Sequence, residues 1–229
     1  MNNSLKSFFS SLKERGIKKT CALSFAIGYD YFYDIKNGVD TVSWVDLDDM
    51  KIDSSKKQHA AMYQAALTIS LRKIIRKLRI AQDNVIVDLG CGKGKVLLVA
   101  SEFGYREIRG LELSPVLCDI AASNCAIYKD KTGTETNFVI INSDVRDYTI
   151  KEDEKVFFLF NPFDASVLEH VLGNIKESLE RQSREIWIIY CHPVQRNAID
   201  KNRDFHKVNE FISWGQEVIV YSNNRAKRD

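Results

Sequence analysis

At 229 residues and 45% hydrophobic, the chain can bury the core of one α/β domain with an extension, rather than two domains. Its 33 basic and 31 acidic residues leave a net charge of +2, which provides no overall field of the kind that marks a nucleic-acid binder, though local basic patches stay open. No apolar run approaches the roughly 18 residues of a membrane span, and five scattered cysteines without a CxxC pair point to reduced thiols and no zinc site.

At the N-terminus, Leu5, Phe8, Phe9 and Leu12 fall at i, i+3, i+4 and i+7, the spacing of a short amphipathic helix that docks on the body or on a partner. The same stretch lacks the apolar core and small-residue cleavage site of a signal peptide, so the expectation is a cytoplasmic protein. Residues 20–53 mix Phe25, Tyr29, Tyr31, Phe32 and Tyr33 with Gly28, Gly38 and many aspartates, a composition that predicts turns and short strands.

Ser55 and Gln58 have capping-box spacing and predict the start of a long helix with Tyr63, Leu67, Leu71, Ile74, Ile75 and Leu78 on one face. Arg72, Lys73, Arg76, Lys77 and Arg79 fill much of the rest, and such a face is ordinarily a solvated one. Short apolar runs at 85–89, 108–113, 138–141, 156–160 and 186–190 read as strands buried on both sides. Helical segments at 95–103, 115–130 and 165–180 separate them, and this alternation predicts a parallel sheet covered by helices. Two last strands, in 203–212 and 216–221, are joined only by Ser213, Trp214 and Gly215, too short a link for a crossover, which makes them an antiparallel edge hairpin. The terminal Arg225-Ala-Lys-Arg-Asp229 is read as a frayed basic tail.

Ligands of a parallel α/β sheet bind beyond the carboxyl ends of its strands, which is where the first strand runs into Asp88-Leu89-Gly90-Cys91-Gly92-Lys93-Gly94. Glycine lets backbone approach a ligand without a Cβ in the way. The spacing is GxGxG, which is neither the GxGxxG of a pyrophosphate loop nor the GxxxxGK[ST] of a nucleotide triphosphate loop.

With Ile86 and Val87 before it, this stretch resembles the first motif of the class I, seven-stranded, Rossmann-like methyltransferases that use S-adenosyl-L-methionine (SAM). The resemblance covers about residues 56–222 and implies an extension or lid at 1–55 and a SAM-binding domain at 56–229. It also implies that Glu112, at the end of the second strand, holds the ribose hydroxyls. Asp144, after the third, would lie beside the adenine, with Leu113 and Val145 as neighbours in the cofactor site. Cys91 lies within the cofactor loop and is assigned no thiol chemistry. An acid about twenty residues after the glycines would also serve a NAD ribose, which keeps an oxidoreductase as an alternative that the loop spacing disfavours.

The fourth strand ends in Asn161-Pro162-Phe163-Asp164, similar to the strand end at which enzymes of this fold methylate nitrogen. There the Asn oxygen would accept a hydrogen bond from the target nitrogen and the ring would pack on the substrate. One proline instead of two departs from the nucleic-acid enzymes, and a simple turn with an aromatic plug is the plainer reading of the same residues. A looser resemblance is to the non-SET histone lysine methyltransferases, in which Tyr63 would cover the methionine end of SAM; a tyrosine on an apolar stripe is more often a core residue. His192, before Pro193 at the end of the fifth strand, is either a group on the substrate side or a strand terminator. The function these residues imply is SAM-dependent N-methylation of a protein or small-molecule amine. The alternatives are a SAM-binding scaffold without catalysis and a nucleic-acid N-methyltransferase.

Overall fold

A computed structural model describes residues 17–46, 48–53 and 65–224. The predicted docking helix of Leu5 to Leu12, the capping box at Ser55, Tyr63 and the basic tail all lie outside those residues.

Seven strands form one sheet: β1 (Val85–Leu89), β2 (Glu107–Glu112), β3 (Asn137–Asn142), β4 (Glu154–Phe160), β5 (Trp187–Cys191), β6 (His206–Ser213) and β7 (Gln216–Ser222). Their order is β3-β2-β1-β4-β5-β7-β6, with the first five parallel and the β6–β7 hairpin antiparallel at the edge. The chain leaves β1 first towards β2 and later returns to its other side as β4, so the switch in strand order falls beside β1. That is the crevice where this class of sheet holds ligands.

The strands are apolar on both faces because both faces are covered. Ile86, Phe158 and Ile189 point into one core, while their neighbours Val87, Phe157 and Ile188 point into the other. Helix α3 (Lys95–Ser101) is buried along its whole length against the first core, and α4 (Pro115–Thr132) starts with Ser114 accepting the Leu117 N–H. On the second core, α5 (Ala165–Arg181) packs Val167, Leu168, Val171, Leu172 and Ile175. Asp164, the last residue of the Asn-Pro-Phe-Asp turn, caps that helix by accepting the Ser166 and Val167 N–H groups at 3.0 and 3.1 Å. A short helix α6 (Arg196–Asp200) after β5, not expected from sequence, closes the turn towards the hairpin.

Two expectations are corrected. Residues 17–37 are one 21-residue helix, α1 (Ile17–Asn37), not turns and short strands. Its buried residues are Thr20, Ala26, Asp30, Tyr33, Asp34 and Asn37, at helical spacing but mostly polar, whereas Phe25, Tyr31, Phe32 and Ile35 face outward. Composition therefore misreported this segment. In addition, the long helix expected from Ser55 is not continuous: residues 65–67 are not helical, α2 spans Thr68–Leu78, and Leu67 before it is extended (φ −71°, ψ 124°). The break has a cause, because Asp30 of α1 accepts the Thr68 N–H at 2.9 Å and caps α2 from outside its own sequence.

The basic residues of α2 are tied to the body. Arg72 makes a forked pair with Glu102, Arg76 lies over the Phe103 ring, Lys77 over Phe211, and Lys73 donates to the Ile212 carbonyl. Beneath them, Lys95 is 3% exposed and ion-pairs with Asp34 at 3.3 Å and Asp30 at 3.5 Å, joining α1 to the start of α3. Removing one side of a buried cluster strands the other. Lys95→Met is expected to destabilise the protein by about 3–5 kcal/mol. Urea unfolding would show it, and wild-type stability in the variant would mean that the cluster contributes nothing.

Candidate functional site

The carboxyl ends of β1, β2, β4 and β5 and the turn after β3 surround one cleft of about 1220 Å³, open mouth included. Asp88, Gly90, Cys91, Gly92, Glu112, Leu113, Asp144, Val145, Asn161, Pro162 and Phe163 all line it. Gly94 does not. It turns at φ +84° into α3, where an added Cβ would meet Ala121 of α4 at 3.4 Å, so its role is helix packing.

The glycine loop is fastened to the end of β2. The N–H groups of Gly90 and Cys91 both donate to the Leu111 carbonyl at 2.9 Å, and the Gly92 N–H donates to Glu112 Oε2 at 2.9 Å. Glu112 Oε1 accepts the Ser114 N–H at 2.9 Å, so one buried carboxylate spans two loops. Gly90 sits at φ +87°, and a Cβ there would fall 2.4 Å from Pro162 Cβ. The loop after β1 and the turn after β4 are thus in direct contact, and the cleft follows from that contact.

Burial governs the acids. Asp88 is 2% exposed, and burial, followed by the Glu112 charge, pushes its carboxyl well above the usual range. Glu112 is also raised by burial, against the hydrogen bonds from Ser114 and Gly92 that favour its charge. Asp144 is held differently. Arg146 forks onto it, Nε to Oδ1 at 3.0 Å and Nη2 to Oδ2 at 2.7 Å, and this places a guanidinium at the cleft wall that the sequence did not announce. Burial pushes the Cys91 thiol up, and Gly110 leaves the hollow that its sulfur fills: a Cβ on Gly110 would lie 2.6 Å from Cys91 Sγ. That agrees with assigning Cys91 no thiol chemistry.

At the far end, Asn161 adopts φ +45° and His192 φ +51° on adjacent strand ends, backbone conformations that L residues adopt at a cost. Tyr190 donates to Asn161 Oδ1 at 3.2 Å, and His192 stacks on Phe160 with ring centroids 6.3 Å apart. His192 therefore lines the cleft instead of merely ending a strand.

Sequence reasoning expected a lid at 1–55, the N-terminal arm, but named none of its residues in the site. Met50, Ile52, Ala65 and Ala66 border the cleft, and Met50 and Ile52 pack on Leu117 of α4. The signal lies in the two lysines of Gly92-Lys-Gly-Lys95. Lys93, 1% exposed, binds Asp40 Oδ2 and the Ser43 carbonyl at 2.9 Å. Asn124 adds to the clasp: its Oδ1 accepts the Asp40 N–H, and its Nδ2 donates to the Asp40 and Lys93 carbonyls. Two buried lysines beside a glycine loop need carboxylates, and the arm's aspartates are where they come from. Among the described residues, no cluster of His, Cys, Asp and Glu could hold a metal, and no helix is long and apolar enough to cross a membrane.

Residues 43–134 match the family model described as histone methylation protein DOT1, a span running from the arm through the glycine loop to the end of α4. No curated protein matches. An RNA methyltransferase from Salinibacter ruber, solved with S-adenosyl-L-homocysteine, is similar over 71% of this chain and 95% of that one, at 17% identity and a TM-score of 0.52. The magnesium protoporphyrin IX methyltransferase of Synechocystis PCC 6803, solved with SAM, is similar over 72% and 87%, at 9% identity and 0.52. The glycopeptide N-methyltransferase MtfA is similar over 68% and 94%, at 10% identity and 0.52. The chain has the fold of the class I SAM-dependent methyltransferases, and within that fold residues 43–134 carry its likeness to the non-SET histone methylation proteins.

Proposed function

We propose that this protein is a SAM-dependent methyltransferase acting on the nitrogen of a protein or small-molecule amine in the cytoplasm. The observation that carries the reading is convergence: acids from three successive strand ends, Asp88, Glu112 and Asp144, meet Asn161 of the fourth in one cleft. The cleft suits the cofactor. A carboxylate held by two backbone N–H groups matches a pair of hydroxyls, and the Gly90 hollow against Pro162 has no room for a side chain.

When bound, SAM supplies a methyl group on a positively charged sulfur. Transfer to an amine is an in-line displacement, so the chain's task is alignment and exclusion of water. Asp88, Gly90, Cys91, Gly92, Glu112, Leu113, Asp144 and Val145 would hold the cofactor, with Gly94 shaping the loop. Asn161, Pro162 and Phe163 would form the transfer site: Asn161 Oδ1 accepts from the incoming amine, Pro162 sets the turn, and Phe163 packs on the acceptor. The acceptor must arrive as a neutral amine with its lone pair towards the methyl. The DOT1 likeness supports a protein acceptor, and the engagement of the α2 cations with the protein's own body argues against nucleic acid.

Calorimetric titration with S-adenosylhomocysteine, with NAD in parallel and Asp88→Ala as control, tests the cofactor. Binding that depends on Asp88 is expected, whereas preference for NAD would overturn the assignment. Asn161→Ala is expected to keep S-adenosylhomocysteine affinity within about twofold while slowing transfer from radiolabelled SAM to core histones or small amines by roughly 10- to 100-fold. Undiminished transfer would remove Asn161 from the site; no transfer to any acceptor by the wild type would favour the scaffold reading.

A further inference from the structure

Behind Asn161, outside the cleft lining, lies the phenol of Tyr190, the fourth residue of β5 and only 1% exposed. Its oxygen accepts the Gln195 N–H at 3.2 Å, from the turn that follows His192 and Pro193. Its proton goes to Asn161 Oδ1, also at 3.2 Å. A carboxamide on a backbone at φ +45° has left the extended conformation of its strand, and rotation about its side-chain bonds would carry it away from the acceptor. Tyr190 opposes that rotation, and the Gln195 N–H opposes rotation of the phenol's O–H in turn. Burial raises the Tyr190 pKa, which keeps the hydroxyl proton in place across neutral pH.

We propose that Tyr190 is a positioning residue: it touches neither cofactor nor acceptor and acts by fixing the carboxamide of Asn161 for the incoming nitrogen. The chain of contacts runs from the turn after β5, through Tyr190, to the turn after β4, so the two strand ends that border the transfer site are set by one hydroxyl. This inference rests on the reading of Asn161 as a transfer-site group.

The test uses Tyr190→Phe, which removes one oxygen and keeps the ring that packs in the second core. In the ¹⁵N–¹H correlation spectrum of the full chain, the Nδ2 proton pair of Asn161 is identified by its absence from Asn161→Ala. Tyr190→Phe is expected to shift that pair while leaving S-adenosylhomocysteine affinity within about twofold. With core histones as acceptor, kcat should fall by roughly tenfold at unchanged KM for SAM, an effect of misalignment. The double variant should be no slower than Asn161→Ala alone, because Tyr190 acts through that residue. An unmoved Asn161 pair in Tyr190→Phe, or an additive loss in the double variant, would overturn the proposal and leave the proposed function standing. Wild-type transfer by Asn161→Ala would overturn the transfer-site reading itself, whatever the spectrum of Tyr190→Phe shows.

Discussion

Gly90→Ala is expected to abolish measurable S-adenosylhomocysteine binding, a loss of about 1000-fold or more, and to lower the melting temperature of the unliganded protein. Two costs combine. An L residue at φ +87° is strained by roughly 1–2 kcal/mol, and the new Cβ would stand 2.4 Å from Pro162 Cβ, where a rigid ring on a capped turn cannot swing aside. Relief requires the glycine loop or the Asn-Pro-Phe turn to move by about an ångström. Moving the loop breaks the N–H bonds of Gly90 and Cys91 to Leu111; moving the turn displaces Asn161. Either movement opens the cleft at the contact that defines it. Gly173→Ala supplies the control, since a Cβ there meets nothing within 4 Å on α5 and should stabilise by roughly 0.5–1 kcal/mol. Calorimetry and thermal unfolding of both variants decide the matter. Wild-type affinity in Gly90→Ala would mean that the close approach at Gly90 is a packing detail and the cofactor lies elsewhere.

The parallel sheet and its loops were legible because their signals are local. A strand buried on both faces reads as a continuous apolar run, so β1 to β5 were found to within two residues at either end, and the three-residue link at Ser213 to Gly215 left the edge hairpin no other topology. GxGxG after β1, with an acid at the end of β2 and another after β3, likewise marks strand ends that the parallel fold must bring together. The arm was illegible for the opposite reason. Its inner face is built from Asp30, Asp34 and Asn37, residues that propensity assigns to turns; Asp30 and Asp34 pair with Lys95, 65 and 61 positions away, and Asp30 also holds Thr68, 38 away. Asp40 and Lys93 are 53 apart. A buried polar cluster assembled over such distances has no periodic signature. The same holds for Tyr190, which reads as one more apolar strand residue until its hydroxyl is seen on Asn161.

S-adenosylhomocysteine affinity is expected to rise as pH climbs from the ordinary carboxylate range, and Glu112→Ala is expected to weaken it by roughly 100- to 10,000-fold. In the unliganded protein burial raises Glu112, and more strongly Asp88, so both hold protons more firmly folded than unfolded. Their contribution to stability is therefore fully present below the unfolded pKa and is lost as pH rises through the raised folded one. Asp40, Glu107 and Asp153 run the other way: their pKa values are lowered, and what they contribute is lost only as pH falls through those lowered values. Hydroxyl donors placed on Glu112 favour its ionised form, so at any pH where the raised carboxyl still holds its proton, binding expels it. One proton released per ligand gives a slope of up to about tenfold per pH unit. The loss in Glu112→Ala has two sources, charge-assisted bonds worth about 1.5–3 kcal/mol each and the Gly92 and Ser114 N–H groups left without their carboxylate. Titrations from pH 5 to 8 in buffers of different ionisation enthalpy measure the released proton directly, and Glu112→Gln, which keeps an acceptor but cannot ionise, should give a shallower slope. A slope identical in wild type and Glu112→Gln would show that the ligand's hydroxyls never meet this carboxylate, and the ribose assignment would pass to another residue.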